Sequence, residues 1–567
     1  MPAMTTDFRE YTVEAPTYDE VAARYAELNA QLDAAEAAED ATAFVDGVAA
    51  WDAYRRELSD WSATVSIRFH QDTANEEYKK AREYCDELSP KLTDLAVAMK
   101  RRLLSCGYRA ALAERFGELV FELWSCDVAA FDPVIEQDLV AESKLNSEYT
   151  ELVASARFEF QGETLTLSQL GKYAENPDRE IRHGAARVAS EWFADRQTDF
   201  DRLYQELVTL RHTMAGKLGY ENFIPLGYKH MQRIDYGQAD VETFRAQVRD
   251  EVVPLCLELR RRQAENLGLE KLYAWDEAIH DLAGNPKPDG EHDWLVDRAT
   301  EMFEALGGGM DDFFAEMKQQ HLMDLKSREG KASGGFCHNL PVLRMPFIFA
   351  NFNGTKGDVE VFTHEMGHAF QCYSSREQPL TDYLWPTTEA CEIHSMGLEF
   401  LTWPHMELFF GDDAARFRRL HLTESILFLP YGVLVDHFQH QVYEKPEATP
   451  EERNQMWLDL EAVYVPWRDY GDLAHPASGR RWQRQLHIYG MPFYYIDYTL
   501  ALTCALQLWV RAETDREATM RDYVALCHRG GEAPFQELVA AAGLKSPFAP
   551  GCLSEVVARA KQELDLA

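Results

Sequence analysis

His364 and His368 stand four residues apart in a stretch, Val359 to Tyr373, that contains no proline and repeats its apolar residues at helical spacing. In such a helix positions i and i+4 lie one above the other, so both imidazoles reach a single point. Phe362, Met366, Ala369 or Phe370, and Tyr373 recur with the period that buries one side, leaving His364, Glu365 and His368 on the other. His-Glu-x-x-His is the pattern of a zinc ion held by two imidazoles, with a carboxylate one step round beside the position left for water. Gly367 costs about 1 kcal/mol against alanine inside a helix. A glycine there predicts that something comes close to the helix, either a neighbouring helix or a substrate.

Two histidines leave a third protein position to fill, and a carboxylate from another helix is the usual completion of a catalytic zinc site. Pro386-Thr387-Thr388 reads as a helix start, after which Glu389, Glu392, Met396 and Glu399 share one face. Spacing alone does not choose between Glu389 and Glu392. Acidic residues in a first helical turn also serve the helix dipole.

The rest of the chain sets the frame. Its 567 residues are 46% hydrophobic and 12% aromatic, enough for a large core and more than one lobe. A net charge of −38 excludes the basic surface that nucleic acid requires and reads as solubility. Met1 to Pro16 lacks the apolar core of a secretory signal. The longest apolar run, Ile426 to Val435, is short and interrupted by Pro430 and Gly432, so no membrane anchor and a cytoplasmic location are expected. Ten cysteines without C-x-x-C pairs point to reduced, buried thiols, with Cys372 and Cys391 beside the presumed site in packing roles.

Helical pattern dominates Tyr18 to Gly117, resumes from Asp178 to Leu218 and returns from Val241 to Leu267. Ala156 to Leu165 alternates apolar and polar residues about Gln161-Gly162 and predicts a small hairpin. Asn285 to Gly290 and Gly307-Gly308-Gly309 are loops by composition. Ser333 to Cys337 and Pro346 to Gly354 predict strands just before the histidine helix, and an edge strand there could accept an extended peptide through its main chain.

Asn351-Phe352-Asn353-Gly354-Thr355, His364 to Gln371 and Glu389 to Met396 together resemble the oligoendopeptidase F branch of the thimet oligopeptidase family of zinc metallopeptidases. The likeness runs best from about Gly334 to Thr503 and more loosely from Asp178. Asp436 to Glu444 also looks like a family segment, in which His437 and His440 are expected to pack or hydrogen-bond rather than react. The resemblance implies a mainly α fold, a large clam-like helical bundle with a deep channel and a small β-sheet beside the zinc helix, divided into an N-terminal helical lobe, 1–177, and a catalytic domain, 178–567. It also implies one zinc ion per chain held by His364, His368 and Glu392, with Ser395 in support, Glu389 unassigned and Glu365 as general base.

Water attack on an amide builds negative charge on the carbonyl oxygen, which a positioned donor can stabilise. Tyr494 and Tyr498 are four apart and Tyr495 and Tyr498 three apart, so either pair can share a helical face. On residues alone an aromatic core cluster is the commoner meaning. The resemblance implies instead that His487, Tyr495 and Tyr498 line the site. The function so implied is zinc-dependent endopeptidase action on short oligopeptides. A zinc amidase or exopeptidase, or a catalytically silent peptide-binding module of the same fold, are the alternatives, and no oligomeric state is implied.

Overall fold

The computed structural model describes residues 7–566. The part of the Met1 to Pro16 reading that falls on residues 1–6 therefore lies outside the described residues. The fold is mainly α, as expected, with two small sheets. No helix among the described residues is long and apolar enough to cross a membrane, and the apolar run at Ile426 lies inside the helix Ala414–Glu444. All ten cysteines are free thiols, and eight of them are buried.

The chain forms two compact units, each assembled from three separated stretches of sequence. The first takes residues up to Asp132, Lys287–Ala414 and Cys504–Ser546; the second takes Pro133–Pro286, Ala415–Thr503 and the stretch from Pro547 onward.

In the first unit the helices Tyr18–Ala37, Ala41–Gln71 and Glu76–Ser105 pack on one another. Val21, Tyr25, Leu28, Leu32 and Ala35 supply the buried stripe of the first, at the alternating four and three spacing that a helix needs to bury one side. Its start is fixed by a reciprocal cap: Glu20 N donates to Thr17 Oγ1 at 3.3 Å and Thr17 N donates to Glu20 Oε2 at 2.8 Å.

The same unit holds a three-stranded sheet in the order Met323–Lys326, Met345–Phe352, Phe336–Leu340. The middle strand is parallel to the first and antiparallel to the last. Two of these strands were expected from the sequence; the short Met323–Lys326 was not. Met345–Phe352 is therefore the centre of the sheet, and Phe336–Leu340 is an edge. Pro346, which has no N–H to give, pairs only with Asn339, and the parallel pairing starts two residues later at Ile348.

In the second unit Phe158–Phe160 and Glu163–Leu165 form the expected antiparallel hairpin. Its turn residues Gln161 and Gly162 both have positive φ, 52° and 82°, the conformation that matches the twist of a two-residue hairpin. The helices Arg179–Asp195 and Gln197–Lys217 fill the expected 178–218 region. Gln238–Gln247 and Val253–Asn266 fill the next, joined by a π-helical turn at Val248–Val252. The interior carries ion pairs as well as aromatic rings: Arg233 with Asp497 at 2.6 Å and Arg245 with Asp436 at 2.7 Å are almost completely buried. His440 bonds to Tyr228 Oη at 3.0 Å and His437 to Tyr464 Oη at 3.1 Å, the hydrogen-bonding roles expected of them.

Candidate metal centre

The strand Met345–Phe352 delivers the chain to the helix Gly357–Ser374 through a turn tied at both ends. Asp358, in the first turn of the helix, accepts from Asn353 N at 2.8 Å and Gly354 N at 2.7 Å. Asn351 Nδ2 donates to the carbonyls of Ala332 and Gly334 at 2.8 and 2.9 Å, drawing the Gly334-Gly335 segment alongside. A Cβ on Gly335 would lie 3.5 Å from Glu365 Oε1, so the edge strand begins beside that carboxylate.

His364, Glu365 and His368 lie on this helix, but their side is not left to solvent. His364 is half-buried, and Glu365 and His368 are buried along with Phe362, Met366, Ala369 and Phe370. The helix Thr388–Leu401 closes over it. A Cβ on Gly367 would stand 2.6 Å from Ser395 Cα and closer still to the His394 carbonyl oxygen, so only glycine lets the two helices meet. Of the two explanations for Gly367, the neighbouring helix is the one present.

That approach brings Glu392 between the histidines. Its Oε2 is 3.2 Å from His364 Nε2 and 3.3 Å from His368 Nε2, and the three donor atoms lie within 4.8 Å of one another. Neighbouring ligands of a tetrahedral zinc with bonds of about 2.0–2.1 Å are separated by roughly 3.3–3.4 Å. The donor set fits such an ion in both type and separation. Glu389, the other sequence candidate, is buried on the same helix, but the convergent group among the described residues contains Glu392.

The remaining atoms of each of these three side chains are held as well. His364 Nδ1 bonds to Glu399 Oε1 at 2.7 Å, His368 Nδ1 lies 3.4 Å from Cys391 Sγ, and Ser395 Oγ donates to Glu392 Oε2 at 2.8 Å. Each Nδ1 so engaged turns Nε2 toward the shared point. The sequence places Glu399 on the same face as Glu392, two turns on, but gives it no role. His394 takes no part, its ring nitrogen facing the Cys391 carbonyl at 3.3 Å and burial lowering its pKa to about 4.

Charge is strongly coupled here. Burial alone would lower the His364 pKa, but Glu392 and Glu399 reverse this and hold it well above the ordinary imidazole value. Burial would raise Glu392, yet His368 and His364 keep it well below the carboxylate range. Glu365 has no such bonded partner. Its Oε2 is buried and makes no hydrogen bond, and burial raises its pKa.

The aromatic candidates belong to the second unit. His487 lies on the short helix Leu486–Gly490, and Tyr495 and Tyr498 begin the helix Tyr495–Thr514. Their rings form one half-buried cluster: the His487 centroid is 5.0 Å from Tyr495 and 5.9 Å from Tyr498, and Tyr494 is 5.0 Å from Tyr498. The turn into that helix is strained, because Phe493 has φ 66°, rare for a bulky residue and costing on the order of 1–3 kcal/mol. Arg233 holds it, donating to the Phe493 carbonyl and to Asp497 at 2.6 Å each. The Phe493 ring fills the space above Gly227, where a Cβ would come within 2.6 Å of it.

Comparison with known proteins agrees with this geometry. The peptidase M3 N-terminal domain is matched by residues 8–131, and peptidase family M3 by residues 172–283 and 310–557. The chain therefore belongs to peptidase family M3 and is a metalloendopeptidase of the oligoendopeptidase F branch. A solved structure provisionally described as oligoendopeptidase F shares 45% identity over 99% of both chains, with a TM-score of 0.94. PZ peptidase A, solved with an inhibitor, shares 42% over 99% of both chains at a TM-score of 0.94. A protein from Bacillus anthracis strain Ames, also provisionally described as oligoendopeptidase F, shares 40% over 99% of this chain and 98% of its own, at 0.90. No curated protein matches the chain.

Proposed function

We propose that the chain is a cytoplasmic zinc endopeptidase that cuts internal bonds of short oligopeptides, with one zinc ion on His364, His368 and Glu392 and with Glu365 as general base. The carrying observation is the lone Oε2 of Glu365, buried without a hydrogen-bond partner beside three convergent donors. A zinc ion held there would supply Lewis acidity to a water and to the scissile carbonyl. Glu365 takes the proton of the attacking water and passes it to the leaving amine; its raised pKa suits a group that must both accept and release a proton.

The substrate adds in extended form along Phe336–Leu340, whose start beside Glu365 supports that placement. Tyr498, with Tyr495 and His487 beside it, donates to the oxyanion as it forms. Burial raises the Tyr495 phenol well above its usual pKa, so that group stays a donor at neutral pH. Residues 1–177 form the helical lobe that precedes a catalytic domain at 178–567.

Incubation with an internally quenched fluorescent peptide, with and without chelator, followed by mass spectrometry of the fragments, tests the reading. Internal cuts that stop with chelation are expected; release of single terminal residues would point to an exopeptidase. Glu365→Gln should keep its zinc and lose roughly 10²–10⁴ of the turnover number. Cleavage at the parent rate by that variant removes Glu365 from the mechanism.

A further inference from the structure

The second unit contains a cavity of about 410 Å³ that nothing in the peptidase reaction uses. It is enclosed by residues of the helix Arg179–Asp195 and by the segments about Trp275, Tyr470 to Pro476, and Arg481 to Arg484. Its apolar walls include Ala185, Ala186, Ala189, Phe193 and Trp275. This volume is within the range of small-molecule sites, roughly 300–1,000 Å³.

The polar lining is unbalanced. Four arginines, 182, 260, 481 and 484, face it together with one acid, Glu277. His475 also lines it, kept neutral by burial, which lowers its pKa to about 4. Arg182 is spoken for by Asp276 at 2.8 Å. Glu277 is spoken for by Arg468 at 2.8 Å and by Arg260 at 3.5 Å.

Arg481 and Arg484 have no such partner. Neither makes a hydrogen bond or ion pair with a described residue, and Arg481 Nε is buried without an acceptor. The Nε atoms of Arg182 and Arg260, both buried residues, are likewise without acceptors. Arg484 reaches solvent on one side and lies 5.4 Å from the Phe193 ring centre on another. Desolvation, then Arg481 beside it, lowers its pKa to about 10.

Glu277 and Glu461 lie near enough to feel the charge of Arg481, but neither bonds it, and two neighbouring guanidinium groups that no carboxylate bonds are a costly arrangement. An anion that enters relieves that cost. Guanidinium is also the side chain whose planar fork fits two acid oxygens at once.

We propose that this cavity binds a small organic oxyanion, a carboxylate or a phosphate ester, with its acid oxygens on Arg481 and Arg484 and its apolar body against Phe193, Trp275 and the alanine face of Arg179–Asp195. The site is made entirely by the second unit, whereas the metal donors belong to the first.

Isothermal titration calorimetry of the zinc-loaded protein with benzoate, phenyl phosphate and neutral benzamide decides the matter. At least one of the two anions should bind at one site per chain, the tighter naming the acid group, and benzamide should bind at least about tenfold more weakly. The double variant Arg481→Gln/Arg484→Gln should lose at least about tenfold in anion affinity. Because the single variant Arg484→Gln removes one of two repelling charges, it should melt no lower than the parent without ligand. Heat from neither anion, equal binding of benzamide, or anion binding that survives the double variant overturns the proposal. So does lost binding accompanied by a melting point well below the parent's, which would make the pair structural.

Discussion

Around His364 and His368 two helices approach until only glycine fits between them, and each ring has a partner for its second nitrogen. Around His487 and Tyr498 the rings pack on one another, Gln485 Nε2 stands 2.9 Å from His487 Nδ1, and the backbone that carries the tyrosines is pinned through Arg233, Phe493 and Asp497. Placing three donors about a metal needs directed bonds at each donor, since imidazole orientation decides whether a lone pair points at the ion. Placing an aromatic donor asks less of the side chain and more of the turn before it. The metal region should accordingly be sensitive to single atoms of carboxylates, and the tyrosine region to the integrity of its turn.

The strongest way to break that contrast is Glu392→Gln. It keeps the shape of the side chain and removes the charge that faces both Nε2 atoms. Losing a ligand should cost more than the roughly 100-fold in affinity that an orienting partner commands, so zinc measured after dialysis should fall far below one per chain and peptide cleavage with it. Full occupancy in this variant would sink the ligand assignment. Next in size is Arg233→Met in the other region. It takes the Arg233 cation from buried Asp497 and its hydrogen bond from the Phe493 carbonyl, and should lower the unfolding free energy by about 3–5 kcal/mol in chemical denaturation. Zinc content per folded chain should not change.

How these two regions were legible in the sequence follows the same division. The two histidines and the helix that bears them were readable because a four-residue spacing is a local property. Glu389 and Glu392 could not be separated by spacing, because the choice depends on how the second helix leans on the first, and that is set at Gly367 and Ser395. Glu399 was placed on the same face without a role, because its role exists only when His364 arrives from another helix. The strand Met345–Phe352 announced itself as a continuous apolar run, whereas Met323–Lys326 is four residues long and becomes a strand only by pairing with it. In the second unit the strained φ at Phe493 and the unbonded guanidinium groups of Arg481 and Arg484 are invisible in one dimension, because Arg233, which holds the first, and the helix Arg179–Asp195, which walls the cavity that the pair faces, lie far away along the chain.

Tyr498→Phe sharpens the comparison from the catalytic side. Removal of one oxyanion donor should lower the turnover number by roughly 10²–10³ with little change in KM. The ring contacts with His487 and Tyr494 survive the change, so folding should be unaffected. A loss of that size in Tyr494→Phe, with Tyr498→Phe at the parent rate, would transfer the role to the residue before the helix.

The smallest effect expected is also the most discriminating, in Glu399→Gln. The amide can still accept from His364 Nδ1, now at 2.7 Å from the carboxylate, but it no longer draws the ring's proton to that side by charge. Zinc affinity, read by competition with a chromogenic chelator, should fall roughly 10- to 100-fold, while the turnover number at saturating zinc stays near the parent's because no group that meets the substrate has changed. Unaltered affinity would mean that helix packing alone aims His364. The metal region would then be built as the tyrosine region is, by fixing the backbone and letting the side chain follow.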